Sequence, residues 1–168
     1  MVADGAGGTA DGAAAAEAVQ EALRALPPSL AKFDAVQLLQ RLDQQLLHIG
    51  ETTAVVAMVC DGKVMGASVG DSGAWLIGDH DCIDLTEQQR RKPLLGSGNA
   101  LPVEFGPELL SSRLLLASDG LLKYVPRSHI CELVRSLPVA EVGDALLTAA
   151  RLPSGRLWDD VAVIVTTL

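Results

Sequence analysis

Aromatic residues are scarce: two Trp, one Tyr and two Phe amount to 3% of the chain. A core must therefore be built from Val, Leu, Ile and Ala. The 49% hydrophobic content supplies enough of them for one substantial domain in 168 residues. Basic residues are outnumbered, 13 Lys and Arg against 21 Asp and Glu, for a net charge of -8. That excludes a nucleic-acid backbone as an expected partner, since binding it requires clustered cations. It does not exclude a phosphate monoester, because bound metal ions can invert the local potential. Cysteine is limited to Cys60, Cys82 and Cys131, an odd number with no metal-ligand spacing. This pattern reads as reduced structural thiols in a cytoplasmic protein. No apolar run approaches the roughly 18 residues of a membrane span, and no basic segment leads an apolar one, so neither a membrane partner nor a signal peptide is expected.

The residues present alternate between two textures. Residues 11–23 are Ala-rich, with Asp11 as a cap, and predict a helix that Pro27-Pro28 stops. Apolar residues recur at helical spacing over 33–48 and predict a second helix. From residue 52 the composition turns to strand. Residues 52–60 and 63–69 flank Asp61-Gly62, a strong hairpin signal. Residues 74–77 and 82–85 extend the expectation to an antiparallel meander. Residues 86–111, with Pro93, Pro102 and Pro107, read as a long irregular connection. A buried strand over 113–118, a helical turn, a helix capped by Ser128, a helix over 140–150 and a last strand over 160–167 complete the chain.

Carboxylates mark the strand ends. Asp4, Asp71, Asp119, Asp159 and Asp160 each stand where an apolar run meets a turn. One such Asp is an ordinary turn residue. Several of them brought together and buried would repel one another unless cations intervened. Oxygen-only donors suit hard cations such as magnesium and manganese, and the lack of His in these segments disfavours zinc.

Five segments carry a family resemblance, in order along nearly the whole chain. Val2-Ala3-Asp4-Gly5-Ala6-Gly7-Gly8 resembles the "ADGxGG" motif of the PP2C-type metal-dependent protein serine/threonine phosphatases. Gly50-Glu51-Thr52-Thr53-Ala54 resembles their "GTT" strand start, and Gly70-Asp71-Ser72-Gly73-Ala74 their "GDSRA" turn. Leu115-Leu116-Ala117-Ser118-Asp119-Gly120-Leu121 is similar to "LLxSDGL", and Trp158-Asp159-Asp160-Val161-Ala162-Val163-Ile164-Val165 to the terminal "DNxTVIVV".

The resemblance implies an α+β fold in one domain over residues 1–168: a four-layer α-β-β-α sandwich of two antiparallel sheets flanked by helices, short of the family's first strands. It implies a site for two Mn2+ or Mg2+ ions. Asp4 would bridge them, Gly5 would offer its carbonyl, Asp119 and Asp159 would ligate one ion, and Asp71 would help hold a third. Asp4, Asp119 and Asp159 are the expected catalytic residues, and the expected substrate is a phosphorylated protein. The family pattern places two strands before "ADG", with an Arg for the phosphate and an acidic residue for the second ion. An open edge beside residues 1–4 is therefore expected, with three readings open: a minimal form of the fold, a piece of a longer protein, or a partner or second chain that covers the edge. Gly73 replaces the Arg of "GDSRA", and Ala6 stands where some relatives have His.

A non-catalytic pseudophosphatase, acting as a binding or regulatory module, is the alternative. A nucleotide-binding domain is disfavoured because Ala10 breaks GxGxxG and no βαβ alternation follows. Trp75 and Trp158 read as core or rim packing, and His48, His80 and His129 as structural. Arg90-Arg91-Lys92 reads as a solvated run, or as an attractor for phosphorylated substrate.

Overall fold

A computed structural model describes residues 1–7, 11–26, 33–110 and 112–167. Gly8 of the first motif, Ala10 and the Pro27-Pro28 helix stop lie outside the described residues. Two helices open the chain, α1 (Gly12–Arg24) and α2 (Ala35–Gln45). Asp11 and Asp34 cap them, each side chain accepting a backbone N–H three residues on, from Ala14 at 3.0 Å and from Gln37 at 2.9 Å. The second helix is therefore shorter than the apolar periodicity suggested, because Asp34 sets its start after Phe33.

Strands β1 (Ala54–Cys60) and β2 (Lys63–Val69) form the expected hairpin, with Asp61 and Gly62 at φ 51 and 71. The meander does not continue from there. After β2 the chain crosses to a second sheet, where β3 (Gly73–Ile77) pairs with β4 (Cys82–Asp84) and β6 (Arg113–Ala117). The stretch 86–111 is not wholly irregular either: β5 (Val103–Leu109) pairs antiparallel with β2. The sequence does not mark it because it is an edge strand with one buried side chain, Phe105, and holds Gly106-Pro107, which only an edge tolerates. The loop before it is anchored by buried Asp43, whose carboxylate accepts the N–H groups of Gly96, Gly98 and Ala100 at 2.8–3.1 Å.

A short α3 (Asp119–Leu122) follows β6, then α4 (Arg127–Ser136), α5 (Val139–Ala149) and β7 (Val163–Thr166). Ser128 lies inside α4 and does not cap it. Pro126 holds the cap position, its fixed φ of -56 suiting a helix entry. The sheets run β1-β2-β5 and β4-β3-β6-β7. Residues 1–5 lie along β1 through the bridges Val2–Val55 and Gly5–Thr52, and pair with nothing on their other side among the described residues.

Three apolar clusters define the layers. Ala54, Val56, Ala67 and Val69 pack under α1 and α2 with Val19, Leu39 and Leu46. Val55, Val64, Leu76, Leu114 and Leu116 fill the space between the sheets. Trp75, Leu115 and Ala117 meet Ile130, Val134, Val142 and Leu146 of α4 and α5. Alternate residues of one strand thus enter different clusters, and both are dry. This is why β1 and β6 read as continuous apolar runs and not as apolar–polar alternation. The result is an α-β-β-α sandwich of two antiparallel sheets, as the motifs implied.

Candidate metal centre

Asp4 is held by its own main chain. Its N–H donates to Thr53 Oγ1 at 3.2 Å, and its carbonyl accepts both the Thr53 N–H and the Thr52 hydroxyl at 2.8 Å. Gly5 lies against the first residue of α1. A Cβ on Gly5 would collide with the carbonyl of Gly12, and one on Gly12 would strike Ala6 and Gly5 in return. Only glycine at both places allows this approach, which explains the Gly-rich turn after Asp4.

The same Thr53 hydroxyl lies 2.6 Å from Ser72 Oγ, both residues being buried. It therefore ties the Asp4 segment to the turn that carries Asp71. Asp71 itself is paired: Arg91 Nη2 and Nε reach its Oδ2 at 2.7 and 2.9 Å. On the other sheet, Ser118 joins two carboxylate segments. Its hydroxyl donates to the Asp160 carbonyl at 3.1 Å and accepts the Ala162 N–H at 3.0 Å, while its own N–H donates to the Ala162 carbonyl at 3.0 Å. A Cβ on Gly120 would collide with the Asp160 carbonyl, so the Ser-Asp-Gly sequence is what lets Asp119 lie beside the Asp159-Asp160 turn.

Electrostatics shows the convergence. Asp4 titrates at about 6, raised first by burial and then by the charges of Asp119, Asp159, Asp160 and Asp71. Asp119 is raised by burial and by Asp71 and Asp159, against the lowering effect of Lys123 and Arg91. Five carboxylates from four separate segments thus share one region. Beside them opens a cleft of about 370 Å³ lined by Asp4, Gly5, Glu17, Ser118 and Asp160. A larger cavity of about 550 Å³ lies between α4 and α5 and holds none of the five. Among the described residues no three His, Cys, Asp or Glu side chains are drawn together tightly enough to form a closed ion cage. The donor set is oxygen-only, and Asp4 carries the repulsion of four neighbouring carboxylates. In chemistry these residues suit hard divalent cations.

Relatives with the same layout exist. The chain is 30% identical over 141 aligned residues to the serine/threonine phosphatase stp of Listeria monocytogenes serotype 4b, which covers 68% of this chain. The stp of serovar 1/2a matches equally. A bacterial serine phosphatase crystal structure superposes with a TM-score of 0.83 at 25% identity, over 97% of this chain and 83% of that one. This chain belongs to the PP2C-type serine/threonine phosphatase family.

The PP2C-type chain spans 55% of the length of the curated relatives it matches. Stp1 from Staphylococcus aureus shares the fold, with a TM-score of 0.82 at 24% identity over 99% of this chain and 82% of that one. So does the catalytic domain of PstP, solved in complex with two manganese ions, with a TM-score of 0.79 at 23% identity over 97% of this chain and 84% of that one. No family model matches the chain. No helix among the described residues is long and apolar enough to cross a membrane.

The sequence picked out the carboxylates but not what holds them. Thr52, Thr53, Ser72 and Ser118 are all buried and position the Asp segments, and each lies inside one of the five motif segments. A hydroxyl residue directly beside Asp71 and Asp119 was the available signal. Arg91 had no such signal, because it meets Asp71 from 20 residues away.

Proposed function

We propose that this chain is a phosphoprotein phosphatase that hydrolyses phosphoserine and phosphothreonine esters with the help of two Mn2+ or Mg2+ ions, in one domain over residues 1–168. The observation that carries this reading is the convergence of carboxylates on Asp4 beside a cleft lined by Asp4, Gly5 and Asp160, where burial and four carboxylates from three other segments raise the Asp4 titration to about 6. Such mutual repulsion is what divalent ions relieve. When bound, the two ions lower the pKa of a water and draw the phosphate into an acidic protein. Asp4 would hold both ions from a backbone that its Thr52 and Thr53 contacts already fix. The Gly5 carbonyl would supply a neutral donor. Asp119 and Asp159 would hold one ion, their segments joined by Ser118. Asp71 would help hold a third only if Arg91 gave way.

The absence of a closed cage among the described residues favours the second reading, a non-catalytic module of the same family. One experiment separates them. Purified protein with millimolar Mn2+ is expected to release phosphate from a phosphothreonine peptide, and Asp119→Ala to abolish the release. No release from the unaltered protein sinks the enzyme reading. Release that survives Asp119→Ala points to a contaminant.

A further inference from the structure

The chain has two Trp and one Tyr, and two of these three rings carry an internal cation. The Arg127 guanidinium lies 5.1 Å from the centroid of Trp75, and Lys123 Nζ lies 5.0 Å from that of Tyr124. The third ring, Trp158, has no cation over it among the described residues. It is 63% exposed and belongs to none of the three apolar clusters, so packing does not account for it. Nor is it loose: it stacks on Tyr124 with centroids 5.8 Å apart and planes 10° from parallel.

Its position is at the candidate centre. Trp158 immediately precedes Asp159, and Tyr124 follows α3, whose first residue is Asp119. The Lys123 N–H donates to the Asp119 carbonyl at 2.9 Å, which fixes the start of the aromatic pair relative to that carboxylate. Asp159 and Asp160, both exposed, place negative charge beside the indole. An aromatic face with a negative quadrupole, flanked by carboxylates on a protein of charge -8, suits a cation. A guanidinium suits it best, being planar, permanently charged and weakly hydrated. The ring is already held by its stack, so little ordering cost opposes the contact.

We propose that Trp158, backed by Tyr124, is a specificity-determining residue that receives an arginine side chain lying next to the phosphorylated residue of a protein substrate. This rests on the phosphatase reading for its substrate class. The test compares kcat/KM for three phosphothreonine peptides that differ at the neighbouring position: arginine, citrulline and alanine. Citrulline keeps the shape of arginine and removes its charge. The arginine peptide is expected to be favoured about threefold over both others, chiefly through KM, as befits one exposed cation–π contact. The preference should persist in Trp158→Phe and vanish in Trp158→Leu. Equal use of the arginine and citrulline peptides by the unaltered protein, or a preference that survives Trp158→Leu, overturns the proposal. If no peptide is hydrolysed, the same three are compared by fluorescence anisotropy. An arginine preference lost in Trp158→Leu then supports the proposal while the phosphatase reading falls, and equal affinities end both.

Discussion

Asp4, beside the three-stranded sheet, is fixed through its own backbone, whereas Asp119 and the Asp159-Asp160 turn, beside the four-stranded sheet, are joined through one side chain, that of Ser118. Asp4 is also the carboxylate on which the charges of the other four converge. The two sides therefore play different parts. One presents a rigid hub, and the other brings several carboxylates to it through a clasp between a helix start and a strand end.

The largest effect should come from removing the hub. Asp4→Asn is expected to lower Mn2+-dependent hydrolysis of p-nitrophenyl phosphate by more than about a hundredfold, beyond what loss of an outer support costs. The same variant should raise the melting temperature of metal-free protein, since it deletes a charge that burial and its neighbours oppose. A lower melting temperature would mean that Asp4 carries no repulsion to relieve.

Next in size is the clasp. Ser118→Ala leaves the Ala162 N–H without its acceptor and frees the Asp160 turn. We expect a loss of about 1–3 kcal/mol in urea unfolding and about ten- to a hundredfold weaker Mn2+ binding by calorimetry. Thr53→Val removes one acceptor from Asp4 and the contact with Ser72 Oγ, but both bonds to the Asp4 carbonyl persist, so its effect on Mn2+ binding should be smaller. Equal effects of the two variants on metal affinity would erase the distinction between hub and clasp.

The pH dependence is subtler. Asp4 titrates at about 6 in the folded chain against 3.8 for an ordinary Asp, so between those values the folded state binds more protons than the unfolded one. Folding is then favoured as pH falls through 6 and disfavoured as it rises. Metal-free protein should melt higher at pH 5 than at pH 7.5 on this account, and saturating Mn2+ should flatten or reverse the trend in differential scanning calorimetry. A metal-free profile that instead falls steadily from pH 7.5 to 5 would place the dominant titration elsewhere.

The smallest effect belongs to Arg91, whose side chain is 69% exposed in its pair with Asp71. Arg91→Ala should change stability by less than about 1 kcal/mol, as exposed pairs do. Its readout is the weakest Mn2+ binding step, which should tighten once Asp71 is released. An unchanged step would show that Arg91 does not compete there.

Much of the site was legible because each carboxylate announces itself locally. An Asp that ends a run such as Leu114–Ala117, or precedes one such as Val163–Thr166, is visible without knowing what it faces. The hairpin at Asp61-Gly62 and the cap at Asp11 were legible for the same reason, since their partners lie within a few residues. Strand β5 was not, because its pairing with β2 depends on backbone bonds 40 residues away and its exposed side chains leave no apolar pattern. The crossing from β2 to β3 was hidden too. The end of β2 and the whole of β3 are buried on both faces, so the apolar run is the same whichever sheet a strand joins.

By itself the sequence determined most of the elements, the Asp11 cap, the Asp61-Gly62 turn, and the placing of Asp residues at the ends of apolar runs. These are short-range matters of backbone preference and burial. Only the tertiary structure decided that Asp4, Asp71, Asp119, Asp159 and Asp160 share one electrostatic region, that Arg91 occupies Asp71, and that Trp158 stacks on Tyr124 in the open. Charge repulsion and ring stacking depend on separation in space, and these residues come from segments whose separation along the chain carries no trace of it.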